Sequence, residues 1–107
     1  MSTRLPGAKY KSVFDQGRSC KGRMLVAWRY EHQDADRKAG VVVSKKTFHD
    51  AVDRNRAKRL VREAYRLLSK EGLAPRNEDV VFIVRRSIAE RKCSDVMREM
   101  QYLFKRT

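Results

Sequence analysis

Acidic residues are what this chain most lacks. Thirteen Asp and Glu face 26 Lys and Arg, a formal net charge of +13 at neutral pH. A folded chain with that imbalance suits a polyanionic partner, nucleic acid before an anionic membrane surface. Long apolar runs are also missing. The longest, Val80 to Val84, is far below the roughly 18 residues of a membrane span. The N-terminus, M-S-T-R-L-P-G, has no signal-peptide core, so no membrane role and a cytoplasmic setting are expected. Cysteine is reduced to Cys20 and Cys93, without C-x-x-C or Cys/His spacing, which argues against a disulfide framework or a zinc site. Glycine-rich phosphate loops, repeats, low-complexity tracts and dividing linkers are all lacking, so residues 1–107 read as one RNA-binding domain.

Catalytic groups are as scarce. His32 and His49 are the only histidines, and neither has a neighbouring carboxylate pattern that would tune it. Asp34 and Asp36 sit in a turn beside Arg37 and Lys38, a poor cage for a cation. The residues assemble no catalytic constellation and no metal site.

What the chain does have is concentrated between Asp50 and Lys70. At about 100° per residue, Ala57, Leu60, Val61, Ala64, Leu67 and Leu68 share one arc of a helix. Arg54, Lys58, Arg59, Arg62 and Arg66 share the opposite arc, with Asn55 among them. Asp50 is placed to cap the helix, Asp53 to answer its dipole, and Gly72 to end it. Arg54, Lys58, Arg62 and Arg66 follow one another at i,i+4, where like charges disfavour a helix by a few tenths of a kcal/mol per pair. A solvated face mixes signs; this one has only Glu63 at its border, and so points to a polyanion.

Elsewhere the pattern gives a short amphipathic helix over Ala8–Gln16, with Tyr10, Val13 and Phe14 on one side. Those aromatics serve either ordinary packing or, ringed by Lys9, Lys11, Arg18 and Lys21, stacking on single-stranded RNA. Strands are expected over Arg18–Lys21, Arg23–Tyr30, Ala39–Ser44 and Asp79–Arg85, and a last helix over Cys93–Arg106. The order α-β-β-β-α-β-α describes a single-domain α+β layer sandwich. Two helices cover one face of a small sheet, and the short N-terminal helix borders an open cleft on the other.

V-V-V-S-K-K (Val41 to Lys46) followed by A-V-D-R-N-R-A-K-R-L-V-R-E-A-Y-R (Ala51 to Arg66) closely resembles the signature of the bacterial ribonuclease P protein subunit. Tyr10, Phe14 and Gly17 resemble that family's first helix, and V-V-F-I-V-R-R its late strand. The family's fold, shared with a domain of a small-subunit ribosomal protein, agrees with the element order. The resemblance implies a non-catalytic subunit of an RNA-based endoribonuclease that removes the 5′ leader of precursor tRNA, with Mg²⁺ bound mainly by RNA and substrate. It implies that Arg54, Asn55, Arg56, Lys58, Arg59, Arg62 and Arg66 face the ribonuclease P RNA. Tyr10, Phe14, Trp28, Lys45 and Lys46 would line or border a cleft for the leader. No obligate protein partner is implied. The alternative is a ribosomal-type or chaperone-like RNA-binding protein with no part in cleavage.

Two points separate pattern from resemblance. Four residues, Thr47-Phe48-His49-Asp50, join the lysine pair to Ala51, where the family usually has three including a glycine. In Arg23–Tyr30, alternation buries the bulky set Met24, Val26, Trp28 and Tyr30, whereas the resemblance puts Leu25 and Ala27 beneath the helices and leaves Trp28 on the open face.

Overall fold

The computed structural model describes residues 4–32 and 37–105. After a 3-10 turn at Gly7–Lys9 come α1 (Tyr10–Gln16), β1 (Arg18–Lys21), β2 (Leu25–Glu31) and β3 (Lys38–Val42). Then follow α2 (Ala51–Lys70), β4 (Glu78–Val84), a 3-10 turn at Arg86–Ile88 and α3 (Cys93–Lys105). Asp34 and Asp36 lie outside the described residues. Among the described residues, no helix is long and apolar enough to cross a membrane.

The sheet order is β1-β2-β4-β3. β1 and β4 both pair antiparallel with β2, and β3 lies parallel to β4, so α2 is the crossover between β3 and β4. The V-V-F-I-V run therefore becomes an inner strand, which explains why it is apolar on consecutive positions rather than alternate ones. The outer edge of β3 is covered by the N-terminal segment, where the Leu5 amide donates to the Ala39 carbonyl at 2.9 Å.

The main core lies between the sheet and the pair α2–α3. Leu25, Ala27, Val80, Phe82 and Val84 meet Val61, Ala64, Leu68, Val96, Met100 and Leu103 there. Leu25 and Ala27 are fully buried, whereas Val26, Trp28 and Tyr30 are only half-buried. Val26, Trp28 and Tyr30 thus face away from the helices, as the family resemblance implied and the alternation did not, while Met24, just before β2, packs against the helical core. A cation comes with the inward set: Arg29 lies under the helices and forks onto buried Glu78 at 2.8 and 2.9 Å. It also donates to the Leu103 carbonyl, and its guanidinium lies 5.6 Å from the Phe104 ring centre.

On α2 the buried set is Ala57, Val61, Ala64, Tyr65 and Leu68. The apolar arc is rotated slightly from its sequence reading: Leu60 and Leu67 are half-exposed, and Tyr65 takes a core place between Phe82 and Phe104. An aromatic ring there fills space that Leu cannot reach, and its hydroxyl kept it off an arc drawn from aliphatic residues alone. Asp50 is the N-cap position but makes no side-chain capping bond. The C-terminus ends in a Schellman motif, as Gly72 foretold: its φ is 75°, its amide donates to Ser69, and the Leu73 amide donates to Leu68.

Candidate nucleic-acid interface

The apolar side of α2 is fixed against β3 and β4, so its basic side is turned outward by the same packing. Asn55, Lys58, Arg59, Arg62 and Arg66 border one depression, floored by Val41, Val61 and Phe82 and closed by Arg4 from the N-terminal segment. Asn55, Arg59, Arg62 and Arg66 are exposed and Lys58 is half-exposed. Their guanidinium and ammonium groups are therefore available to phosphate oxygens, which arginine engages in a bidentate fork. Arg66 is tempered by Glu63, whose carboxylate it meets at 2.6 and 3.1 Å. That hydrogen bond holds Glu63 below the usual carboxylate range.

Two members of the basic face point elsewhere. Arg54 is half-buried and its Nη1 donates to the Phe48 and His49 carbonyls, at 3.0 and 2.6 Å. It clamps the loop that leads into α2. The same loop replaces the missing glycine with side-chain bonds: the Thr47 amide donates to Ser44 Oγ at 3.2 Å, and the two hydroxyls lie 2.9 Å apart. Arg56 is exposed but borders the other flank of the helix, beside Asp53, Arg86 and Arg91.

The opposite face of the sheet has different chemistry. Leu5, Val13 and Val81 form a small buried cluster, with Tyr10, Phe14, Trp28, Tyr30 and Val42 packed around it. Phe14 meets Trp28 edge to face, with ring centres 5.6 Å apart. Both rings, like that of Tyr10, are half-exposed, so each presents part of its π surface to solvent. A glycine makes the arrangement possible. Tyr10 lies so close over β3 that a Cβ on Gly40 would overlap its ring and hydroxyl. Beyond the cover of α1, which packs on β2 and β4 and reaches β3 through Tyr10, the neighbouring Val26, Ile83 and Val42 stay half-exposed, and an open apolar floor remains. Lys45 and Lys46 are exposed in the turn that leaves β3, at the Val42–Ile83 end of this floor.

The arrangement can neutralise phosphates on one side and stack bases on the other. It is less suited to proton transfer. His32 Nε2 lies 3.2 Å from the Asp79 carboxylate, and its Nδ1 is buried without a partner among the described residues. Neither ring nitrogen is presented to an incoming substrate. His49 is exposed at the mouth of α2. Among the described residues, no three His, Cys, Asp or Glu side chains come together as a metal cage. The buried carboxylates are already engaged, Glu78 by Arg29 and Asp79 by His32.

The structure thus gathers Tyr10, Phe14 and Trp28 into one cluster and Asn55, Lys58, Arg59, Arg62 and Arg66 around another. Lys45 and Lys46 border the first at one end, while Arg54 and Arg56 leave the second. Arg4, Arg86 and Arg91 were not legible as interface residues. They lie in the N-terminal segment and the β4–α3 connection, and only the tertiary fold brings these beside α2.

Comparison with known proteins gives one answer. The profile of the family described as ribonuclease P matches residues 5–107. A ribonuclease P protein component from Clostridioides difficile is 35% identical over 98 residues, covering 92% of this chain and 84% of that protein. One from Exiguobacterium is 37% identical over 98 residues, covering 92% and 82%. The solved ribonuclease P protein of Thermotoga maritima superposes with a TM-score of 0.82 at 27% identity, covering 97% of this chain and 96% of that one. That of Staphylococcus aureus, at 21% identity and a TM-score of 0.79, shares the fold, with 98% and 94% covered.

Proposed function

The chain belongs to the ribonuclease P protein family, and from that premise we propose how it serves as the enzyme's protein subunit. The observation that carries the reading is the division of labour across one sheet. Exposed arginines lie on the helical side and half-exposed aromatic rings on the other. The α2 face, through Asn55, Lys58, Arg59, Arg62 and Arg66, binds the ribonuclease P RNA. Arg54 sets the loop that positions that face, and Arg56 contacts RNA from its flank. The open face binds the single-stranded 5′ leader of precursor tRNA. Tyr10, Phe14 and Trp28 offer stacking surfaces, and Lys45 and Lys46 neutralise the backbone as it leaves.

In this reading the protein supplies binding and charge, and the RNA subunit with Mg²⁺ supplies the chemistry. Bringing two RNAs together raises phosphate repulsion, and a net charge of +13 between them offsets it. The ions belong to RNA and substrate, while the buried carboxylates Glu78 and Asp79 are held by Arg29 and His32. The setting is the bacterial cytoplasm, where the two free thiols of Cys20 and Cys93 would stay reduced.

The test uses the purified chain with a bacterial ribonuclease P RNA. The chain should raise cleavage of precursor tRNA and lower the Mg²⁺ concentration required. Trp28→Ala should weaken binding of leader-bearing precursor by up to about 1–3 kcal/mol, the worth of one fully stacked base, and leave affinity for mature tRNA unchanged. Trp28 is the chain's only tryptophan, so its emission should respond to single-stranded RNA. Emission that ignores such RNA would place the leader elsewhere, and RNA cleavage by the chain alone would reassign the chemistry.

A further inference from the structure

Two depressions outside the faces described above lie end to end. The first runs between the start of α2 and the β4–α3 connection, and is bordered by Arg56, Arg86 and Arg91, with the exposed acids Asp53 and Glu90 among them. The second lies between the β1–β2 loop and α3, and is bordered by Arg91, Arg23, Arg98 and Tyr102. Arg91 belongs to both. One arginine-lined track therefore starts at Arg56 on the flank of α2, passes the β4–α3 connection, and reaches the outer side of α3.

The acids of the second depression are turned away from solvent partners. Glu99 accepts the backbone amides of Arg23, Met24 and Leu25, each at 2.8 Å. Asp95 accepts the Lys92 amide at 3.0 Å. The cations beside them have no such restraint: Arg23, Arg91 and Arg98 are exposed and form no ion pair among the described residues. Tyr102 lines the same depression and is 57% exposed.

We propose that this track is a second contact surface for the ribonuclease P RNA, beginning at the Arg56 flank of α2, in which Arg91, Arg98 and Arg23 hold phosphates and Tyr102 lies against a base or ribose. It rests on the function proposed above and adds a partner segment to it. Continuity favours the RNA subunit over the substrate, because the track joins the α2 flank at Arg56 and lies away from the aromatic floor. Arginines spaced along a groove with one exposed aromatic are the elements by which a nucleic-acid strand is tracked.

The experiment measures the affinity of the RNA subunit across a NaCl series for the wild type, Arg59→Ala and the double variant Arg91→Gln/Arg98→Gln. Precursor tRNA affinity is measured on each assembled holoenzyme. The double variant should bind the RNA subunit at least about tenfold more weakly, with a log–log salt slope shallower by about two units. Its melting temperature and its precursor affinity should stay at wild-type values, and Lys at both positions should restore much of the loss. Arg23→Gln, on a different element, should give about half the slope change and guards against a local folding effect. If Arg59→Ala loses RNA affinity and the other variants do not, this inference is overturned and the proposed function stands. A loss confined to precursor binding would give the track to the substrate and also overturn it. If the wild-type chain does not bind the RNA subunit, both readings fall.

Discussion

At the scale of single residues, the side chains that matter most are those whose place contradicts their type. Tyr65 is 3% exposed, and its hydroxyl has no hydrogen-bond partner among the described residues. Burial pushes its pKa up to about 12, against a partial offset from the Arg37 charge. The folded state thus keeps a proton that the unfolded chain releases near pH 10. The associated stability is complete below about pH 10 and is lost as pH rises toward 12, an effect of order 2–3 kcal/mol. Tyr65→Phe should flatten the alkaline limb of a pH–stability curve relative to wild type. Near pH 7 it should be neutral or slightly stabilising, since it removes an unsatisfied buried hydroxyl. A variant that is much weaker at pH 7 would reveal a hydrogen bond to that hydroxyl. Tyr65, Arg29 and Trp28 also mark where sequence reading fails. Period-2 alternation ranks faces by bulk, and β2 inverts that ranking because close helices require Leu25 and Ala27 beneath them. Arg29 can be buried only because Glu78, 49 positions away, meets it, and no local pattern encodes such a partner.

At the scale of elements, α2 was the most legible, because two faces of opposite chemistry recur over 20 residues and the Gly72 stop is local. Its faces should separate cleanly in mutation. Leu68 is fully buried, so Leu68→Ala should lower unfolding free energy by about 2–5 kcal/mol in denaturant titrations. Leu60→Ala should cost less, because its side chain is already partly in water. Arg59→Ala should leave the denaturation midpoint in place and reduce affinity for the RNA subunit. Unfolding by Arg59→Ala with unchanged affinity per folded molecule would mean that the faces are reversed. The role of Arg54 was less legible: its charge fits the basic series, but its use as a clamp on Phe48 and His49 depends on a loop shape that only the fold sets.

At the scale of the whole molecule, the charge imbalance acts in opposite directions on the free and the bound protein. With a net charge of +13 the free chain repels itself, and added salt screens that repulsion. The same salt removes the entropic gain of counterion release when RNA is bound. Raising NaCl from about 10 to 150 mM, which shortens the screening length from roughly 30 to 8 Å, should therefore raise the melting temperature of the free chain while weakening its complex with RNA. Melting curves and binding titrations over one salt series check both signs, and a free chain destabilised by salt would show that internal ion pairs dominate its electrostatics.

The position of β4 has a consequence for synthesis on the ribosome. Glu78–Val84 is the strand that joins the β1–β2 hairpin to β3, yet it lies late in the chain. Until it emerges, β3 has no sheet to enter, the aromatic floor lacks Val81, and α2 has no Phe82 to cover. Most of the polypeptide must wait, cationic and only locally ordered, for a seven-residue segment on which both faces are built.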